Sequence, residues 1–279
     1  MAGSDLSERL TSPFANDAYG HFRRLTRVFV PPSRIQDQTV ELSEPQARHL
    51  IRVLRKSVGD EVAVLDGTGG AWIAVLEEAT KNRARARFTT DVPNPEVGMR
   101  HVELVVPPLK GEKMDFVLQK CTEIGVSIFH VVPMERSIAR VRDNDESKLN
   151  RYRSIIVSAA EQCGAFILPK LNIWTQIDDF LCQIDPAERY IAWEEESRGS
   201  NSQESRLNSL VGGQNPCILA TGPEGGLSAE EVDRWRSTGF ESISLGARVL
   251  RAETAPMVLA ALALCARVLT DNPHSVPDE

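Results

Sequence analysis

The runs CILATGPEGGLSAEEVDRW, residues 217–235, and SISLGARVLRAETAPMVLAALALCARVL, residues 242–269, decide the fold of this chain. An apolar stretch at 217–220 opens into Gly222-Pro223-Glu224-Gly225-Gly226, and Ser228 with Glu231 has the spacing of a capping box that starts a helix. The glycine loop therefore lies between a strand end and a helix start, where backbone N–H groups of an open α/β sheet face a crevice. A second loop, 245–254, follows another short strand and precedes a helix at 256–269 that is apolar nearly all round. A lone glycine cluster usually marks only a turn. Here a loop carrying Arg248, Arg251 and Glu253 stands at the next strand end, and the two loops together read as a ligand site.

These residues resemble the cofactor-binding end of the SPOUT methyltransferases, and within them the RsmE family, which methylates N3 of a uridine in 16S ribosomal RNA. The likeness continues through KGEKMDFVLQKCTEIGV at 110–126 and SAAEQCG at 158–164, so it spans most of the chain. It implies S-adenosyl-L-methionine as cofactor, gripped in a bent shape by Thr221, Gly222, Pro223, Glu224, Gly225 and Gly226 of one loop. Leu245, Gly246, Val249 and Leu250 of the other loop complete that grip, with Thr254 at its end. Glycine suits such positions because the backbone must approach a ligand closely and can adopt φ > 0. Ala247 stands where the family usually has proline, Ala252 where it has threonine, and Ala165 where an arginine follows the EQ-Ser/Cys-Gly motif.

The resemblance further implies an α/β fold: a SPOUT-type, trefoil-knotted methyltransferase domain at 98–272, preceded by a small PUA-like β-barrel at 26–95 that binds RNA. It also implies a homodimer and, as partner, 16S rRNA within the assembled small ribosomal subunit. Ribose 2′-O methylation by a related SPOUT branch and a non-catalytic RNA-binding module are the alternatives; intact loops argue against the second. Uridine N3 carries a proton and is a poor nucleophile, so the transfer needs a base and a stabilised uridine anion. The sulfonium already supplies the electrophile, and no metal is required. Glu253 fits the base, with Arg251 or Arg248 beside the anion. The competing reading pairs Glu253 with Arg251 to hold the loop shut, while Thr254 caps the helix.

The 279 residues allow one large or two modest domains, and the net charge is −7. That total would disfavour a nucleic-acid partner, but the charge is segregated. Between Gly20 and Asp60 stand eight basic residues, Arg23, Arg24, Arg27, Arg34, Arg48, Arg52, Arg55 and Lys56, against four acidic ones. The five cysteines are odd in number and form no CxxC pair, which points to reduced core thiols rather than a disulfide framework or zinc. The five histidines are scattered and suggest no site. No apolar run is long enough to span a bilayer and the start lacks a signal-peptide core, so a cytoplasmic protein is expected.

Residues 1–25 are polar and aperiodic and read as a mobile extension. Strands are expected at 28–30 and 39–42, then a helix opened by a Ser43/Gln46 capping box. Its spacing puts Ala47, Leu50, Ile51 and Leu54 on one face and Arg48, Arg52, Arg55 and Lys56 on the other. The strand at 61–65 ends in Asp66-Gly67-Thr68-Gly69-Gly70, like a Rossmann turn, but strand formers occupy 71–76 where a helix would have to start, so this is a hairpin. Arg83, Arg85 and Arg87 alternate with Ala84, Ala86 and Phe88, which points three guanidinium groups to one side of a strand. Two basic features in one small domain suggest a phosphate-contacting surface.

After a turn-rich linker at 91–95, strands and helices alternate: strand 101–106, helix 113–124 closed by Gly125, strand 128–132, helix 146–162 closed by Gly164. Met114, Val117, Leu118, Cys121 and Ile124 share one face of the first helix; Leu149, Tyr152, Ile156, Ala159 and Cys163 share one of the second. Strands at 171–174, 190–193, 217–220 and 242–245 complete the sheet, and polar 194–215 reads as a rim loop. Glu161 and Gln162 fall in a last helical turn, where a negative charge opposes the dipole by ~0.3–1 kcal/mol. That misplacement suggests contact with RNA, weighed evenly against pairing with an arginine. Lys110 is a further candidate RNA contact, whereas Lys113 and Lys120 read as solubilising charges.

Overall fold

The computed structural model describes residues 17–139, 145–196 and 201–265. It divides into two compact units, Met1–Val97 with Ala160–Leu168, and Gly98–Ala159 with Pro169–Glu279. The division at Val97 falls beside the turn-rich linker. The grouping of 160–168 with the first unit has no signature in the sequence, because long-range contacts alone create it.

The first unit is a six-stranded sheet of β1 (Arg27–Phe29), β2 (Ile35–Gln36), β3 (Thr39–Glu41), β4 (Glu61–Leu65), β5 (Ala71–Ala79) and β6 (Ala84–Asp91), in the order β1-β4-β5-β6-β3-β2. Only the β1–β4 pair is parallel. Alternation along β6 buries Ala84, Ala86 and Phe88 and exposes Arg85 and Arg87. The 66–70 turn joins β4 to β5 as a hairpin; the Asp66 carboxylate accepts the N–H groups of Thr68 at 2.7 Å and Gly70 at 2.9 Å.

Two expectations are corrected by this unit. Residues 17–25 are not a mobile extension: Asp17–Phe22 forms helix α1, and Phe22 is buried, its ring centroid 5.2 Å from that of Phe166. Burying a side chain of this size is worth about 1.5–3 kcal/mol, enough to order a short helix. The earlier part of that extension, 1–16, lies outside the described residues. The basic helix is also shorter than its pattern suggests. Helix α2 (Glu44–Arg48) starts as expected, with the Gln46 side-chain oxygen accepting the Ser43 N–H at 3.0 Å, but a π-helical turn takes over at His49–Val53. A π-turn spends an extra residue per turn and rotates the downstream residues about the axis. Leu50 stays buried, whereas Leu54 leaves the apolar stripe and is 40 % exposed.

The second unit is an all-parallel sheet of β7 (Val102–Val106), β8 (Ile128–Val131), β9 (Lys170–Ile173), β10 (Glu188–Ala192), β11 (Cys217–Thr221) and β12 (Glu241–Ile243), ordered β12-β10-β11-β7-β8-β9. Both faces are covered, which is why its strands read as continuous apolar runs. Leu104 and Leu219 face α3 (Glu112–Ile124), α4 (Glu146–Cys163), α6 (Asn201–Gly212) and α8 (Ala255–Leu264). Val105, Ile218 and Ala220 face α5 (Ile177–Leu181) and α7 (Ala229–Ser237), whose Phe180 and Trp235 are fully buried.

The segment read as a rim loop, 194–215, is corrected: α6 occupies 201–212, anchored by the fully buried Leu210. Its polar sequence carries too few apolar positions to announce a helix, so packing decides. Helix α5 has no clear sequence signal either. Cys121 and Cys217 are the core thiols expected, but Cys163, Cys182 and Cys265 are exposed, so Cys163 does not share the buried face of α4; none of the five is in a disulfide. The last helix is described as far as Leu264, and residues 266–269 of its expected span lie outside the described residues.

Candidate functional site

The sheet register brings three strand ends together: Ala192 of β10 stands opposite Thr221 of β11 on one side and Ile243 of β12 on the other. Because the strands are parallel, all three open their outgoing loops at the same edge. From β7 the chain builds outward through β8 and β9, then returns to place β10 beyond β11, so this edge is where the strand order reverses. Ligands of open α/β sheets bind at such a point.

The three loops enclose a cavity of about 420 Å³, within the ~300–1,000 Å³ of small-molecule sites. Of the residues expected to grip a cofactor, Gly222, Pro223, Glu224, Gly226, Leu245, Gly246, Val249 and Leu250 line it, as do Arg248 and Arg251; Thr221, Gly225 and Thr254 do not. The glycines have local reasons. At Gly226, φ is +69° and a Cβ would stand 2.4 Å from Glu194 Oε1; at Gly246, φ is +113° and a Cβ would project into open space. Ser228 caps α7, accepting the Glu231 N–H at 3.2 Å, but the second half of the expected capping box is missing: Glu231 Oε1 instead accepts the Glu135 N–H at 2.9 Å.

Sequence reasoning missed one wall and one charge. The wall is Trp193 and Glu194, directly after β10, Glu194 inside the stretch read as a rim loop; their position at a parallel strand end was the available signal. The charge is Lys113, whose ammonium lies 3.3 Å from Glu224 Oε1 and 3.5 Å from Glu253 Oε2. Burial works against the Glu224 carboxylate, but the backbone N–H groups of Glu224 and Lys110 and the Lys113 ammonium outweigh it and hold it below the usual carboxylate range. The Glu253 side chain is only 15 % exposed, and its Oε1 lies 4.0 Å from Arg251, which is 85 % exposed. Glu253 Oε2 has an ion-pair neighbour in Lys113 but no hydrogen bond, so a lone pair on a buried carboxylate is open. Thr221 Oγ1 and Trp193 Nε1 are also buried without a partner among the described residues. Buried polar atoms are normally satisfied; open ones at strand ends beside a cavity suit a polar ligand.

The other candidate residues sit in the first unit, apart from Lys110, whose side chain is exposed in the second. Arg23, Arg24, Arg48, Arg52, Arg55, Arg83, Arg85 and Arg87 are exposed. Several have partners: Arg83 with Glu41 at 3.7 Å, Arg85 and Arg87 with Glu77 at 3.2 and 2.7 Å, and Arg48 with Glu44. Arg52 and Arg55 have no ion-pair partner among the described residues. Arg27 has a structural task, donating to the backbone oxygens of Glu161 at 2.5 Å and Gln162 at 2.8 Å in the last turn of α4. A cation there complements the helix dipole. The Glu161 carboxylate accepts the Phe29 N–H at 3.2 Å, and burial pushes its pKa up, opposed by that hydrogen bond and by His49 and Arg27. The negative charge at this helix end therefore has a backbone donor of its own.

Among the described residues no helix is long and apolar enough to cross a membrane, and no group of three or more His, Cys, Asp or Glu side chains is placed to hold a metal ion. Comparison with known proteins agrees with the geometry. Residues 96–264 match the model of an RNA methyltransferase domain, and residues 42–89 that of an RNA methyltransferase PUA domain. The ribosomal RNA small subunit methyltransferase E of Synechocystis is 32 % identical over 89 % of this chain and 80 % of its own length; that of Bacillus subtilis is 26 % identical over 78 % and 87 %. The crystal structure of the Neisseria gonorrhoeae enzyme of the same name, bound to S-adenosyl methionine, is 28 % identical and superposes with a TM-score of 0.72 over 88 % of this chain and 98 % of that one. Strand order, a glycine-loop cavity and similarity over both units converge: the chain belongs to the RNA methyltransferase family that includes ribosomal RNA small subunit methyltransferase E.

Proposed function

We propose that this chain, a ribosomal RNA methyltransferase, transfers the methyl group of S-adenosylmethionine to N3 of a uridine in 16S rRNA of the small subunit. The observation that carries the reading is a buried carboxylate with an open lone pair, Glu253, beside two arginines that line a cavity built from two glycine loops. The cavity fits the cofactor: its glycines leave room at the backbone, and Trp193, whose Nε1 is unpartnered, stands in its lining. When bound, S-adenosylmethionine supplies a methyl carbon activated by a positive sulfur. Glu253 Oε2 takes the N3 proton, and the exposed Arg251 swings to the uridine anion, with Arg248 in the same wall. A cation placed there favours the charged transition state over the neutral base.

The test is the product. Small subunits from a strain lacking this gene, incubated with the protein and cofactor, should gain N3-methyluridine in 16S rRNA by nucleoside mass spectrometry. Methyl transfer to a ribose oxygen, or none, would overturn the reading.

Two further parts of the proposal concern partners. The cytoplasm is the compartment where such a substrate is met. The trefoil-knotted path and the homodimer implied by the resemblance belong to it too. Helix α8 buries Pro256, Leu259, Ala260 and Ala263, while Met257, Val258, Ala261 and Leu262, all apolar, stay partly exposed. A helix apolar on every side needs cover on every side. Light scattering at micromolar concentration is expected to give twice the chain mass; a monomer would remove the dimer.

RNA docking is assigned to the exposed arginines of the first unit. Replacing Arg52, Arg55 and Arg87 by alanine should weaken binding of 16S rRNA and flatten its salt dependence by roughly 0.7–0.9 for each phosphate no longer neutralised. The carboxylate already paired with Arg87 makes its share smaller than that of Arg52 or Arg55. An unchanged slope would return these side chains to an ordinary solvated face.

A further inference from the structure

Lys113 is the second residue of α3, in a first turn where a positive charge opposes the helix dipole. Local rules are broken most often where a site requires it. Carboxylates on its own helix are near in sequence, but Asp115 pairs with Arg151 from α4 instead. Lys113 reaches across to Glu224, 111 residues away, at 3.3 Å and to Glu253 at 3.5 Å. The two carboxylates come from the two different loops that form the cavity, and both are more buried than the lysine, with side chains 20 % and 15 % exposed against 39 %.

We propose that Lys113 is a positioning residue for methyl transfer: it ties the Glu224 loop to the Glu253 loop and holds the Glu253 carboxylate in one orientation. The inference rests on the reading of Glu253 as the base and adds the group that orients it. The charged groups around Glu253 leave this task to Lys113. Arg251, from the same loop, is farther away at 4.0 Å and almost wholly exposed, so it does not fix the carboxylate. Arg248 and Glu194 line the cavity without an ion pair to Glu253 among the described residues. Among those residues Glu224 is ion-paired with Lys113 alone. A single ammonium shared by two carboxylates holds both loop ends, and it contacts one Glu253 oxygen without a hydrogen bond, so the lone pair that must take the proton stays open.

The experiment is a double-mutant cycle on single-turnover methyl transfer to small subunits, with cofactor and RNA affinities measured in parallel. Lys113→Met is expected to slow the step about 10- to 100-fold, the cost of a misplaced catalytic group, with RNA affinity unchanged. Lys113→Arg keeps the charge and should recover most of the rate. In the Glu253→Gln background, Lys113→Met should add little, because the group it holds is already gone. A normal rate for Lys113→Met would overturn the proposal. So would an equal loss in both backgrounds, or a loss confined to RNA affinity, which would make Lys113 a phosphate contact. The two readings fail separately: a slow Glu253→Gln with a normal Lys113→Met removes only the lysine's role, whereas a normal Glu253→Gln removes the base and with it any residue acting through it. Lys113 is partly exposed, so a thermal melt close to that of the parent protein is expected and checks that folding is intact.

Discussion

Glu253→Gln is expected to slow single-turnover methyl transfer by about 10²–10⁴-fold, the usual contribution of a positioned general base. Glutamine keeps the size and most hydrogen bonding of glutamate but cannot accept the N3 proton as a carboxylate does. Cofactor affinity should hardly move, because Glu253 does not itself line the cavity. If Glu253 were only a brace, its loss would act on loop closure: the variant would bind cofactor more weakly and transfer the methyl group normally once saturated. The structure makes a brace through Arg251 a poor one. Arg251, the partner that the brace needs, is 4.0 Å from Glu253 and 85 % exposed. A saturated rate that matches the parent protein, with the same pH dependence, would require Glu253 to be given up as the base.

The second large effect is on stability. Arg100→Ala should destabilise the second unit by about 3–5 kcal/mol, the loss seen when one partner of a buried ion pair is removed. The Arg100 side chain is 3 % exposed and uses three nitrogens: Nη2 to Glu188 Oε2 at 2.5 Å, Nη1 to the Leu210 carbonyl at 2.5 Å, and Nε to the Asn215 carbonyl at 2.8 Å. Truncation would take the guanidinium donors from two carbonyls and from Glu188 Oε2, leaving the carboxylate only the Asn215 amide on Oε1. The guanidinium also closes the C-terminal end of α6 and lies so near Gly213 that a Cβ there would stand 2.5 Å from Nη2. Arg100→Lys should recover only a part, since the three donors of an ammonium radiate from one atom and cannot span acceptors spread around a planar guanidinium. Urea denaturation monitored by the circular dichroism of the second unit's helices measures this; a loss below about 1 kcal/mol would mean that water replaces the guanidinium freely.

Much of the site was legible because its signals are local. The Gly222–Gly226 loop comes after an apolar strand and before a Ser228 cap, and each of those features depends on residues a few positions apart. The period-2 pattern of β6 was equally plain, because burial on one face is all it needs. Where the reading failed, distant groups had decided. Helix α1 is ordered by Phe22 meeting Phe166, and α6 by Leu210 entering a core that its polar neighbours do not announce. The basic helix changes to a π-turn at His49, a change of winding that no spacing of apolar residues encodes.

By itself the sequence determined two loops of ligand type at the ends of buried strands, a basic front part and an alternating α/β body, since propensity, capping and periodicity act over one or two turns of chain. Only the tertiary structure decided which of these meet. The parallel register puts Ala192 beside Thr221 and Ile243, and so makes Trp193 and Glu194 the wall opposite the glycine loops. It also lets Lys113 touch Glu224 and Glu253. A contact between groups more than a hundred residues apart is set by how strands pair and helices pack, and a charge that looks merely solubilising along the chain becomes part of a site once that packing brings two carboxylates to it.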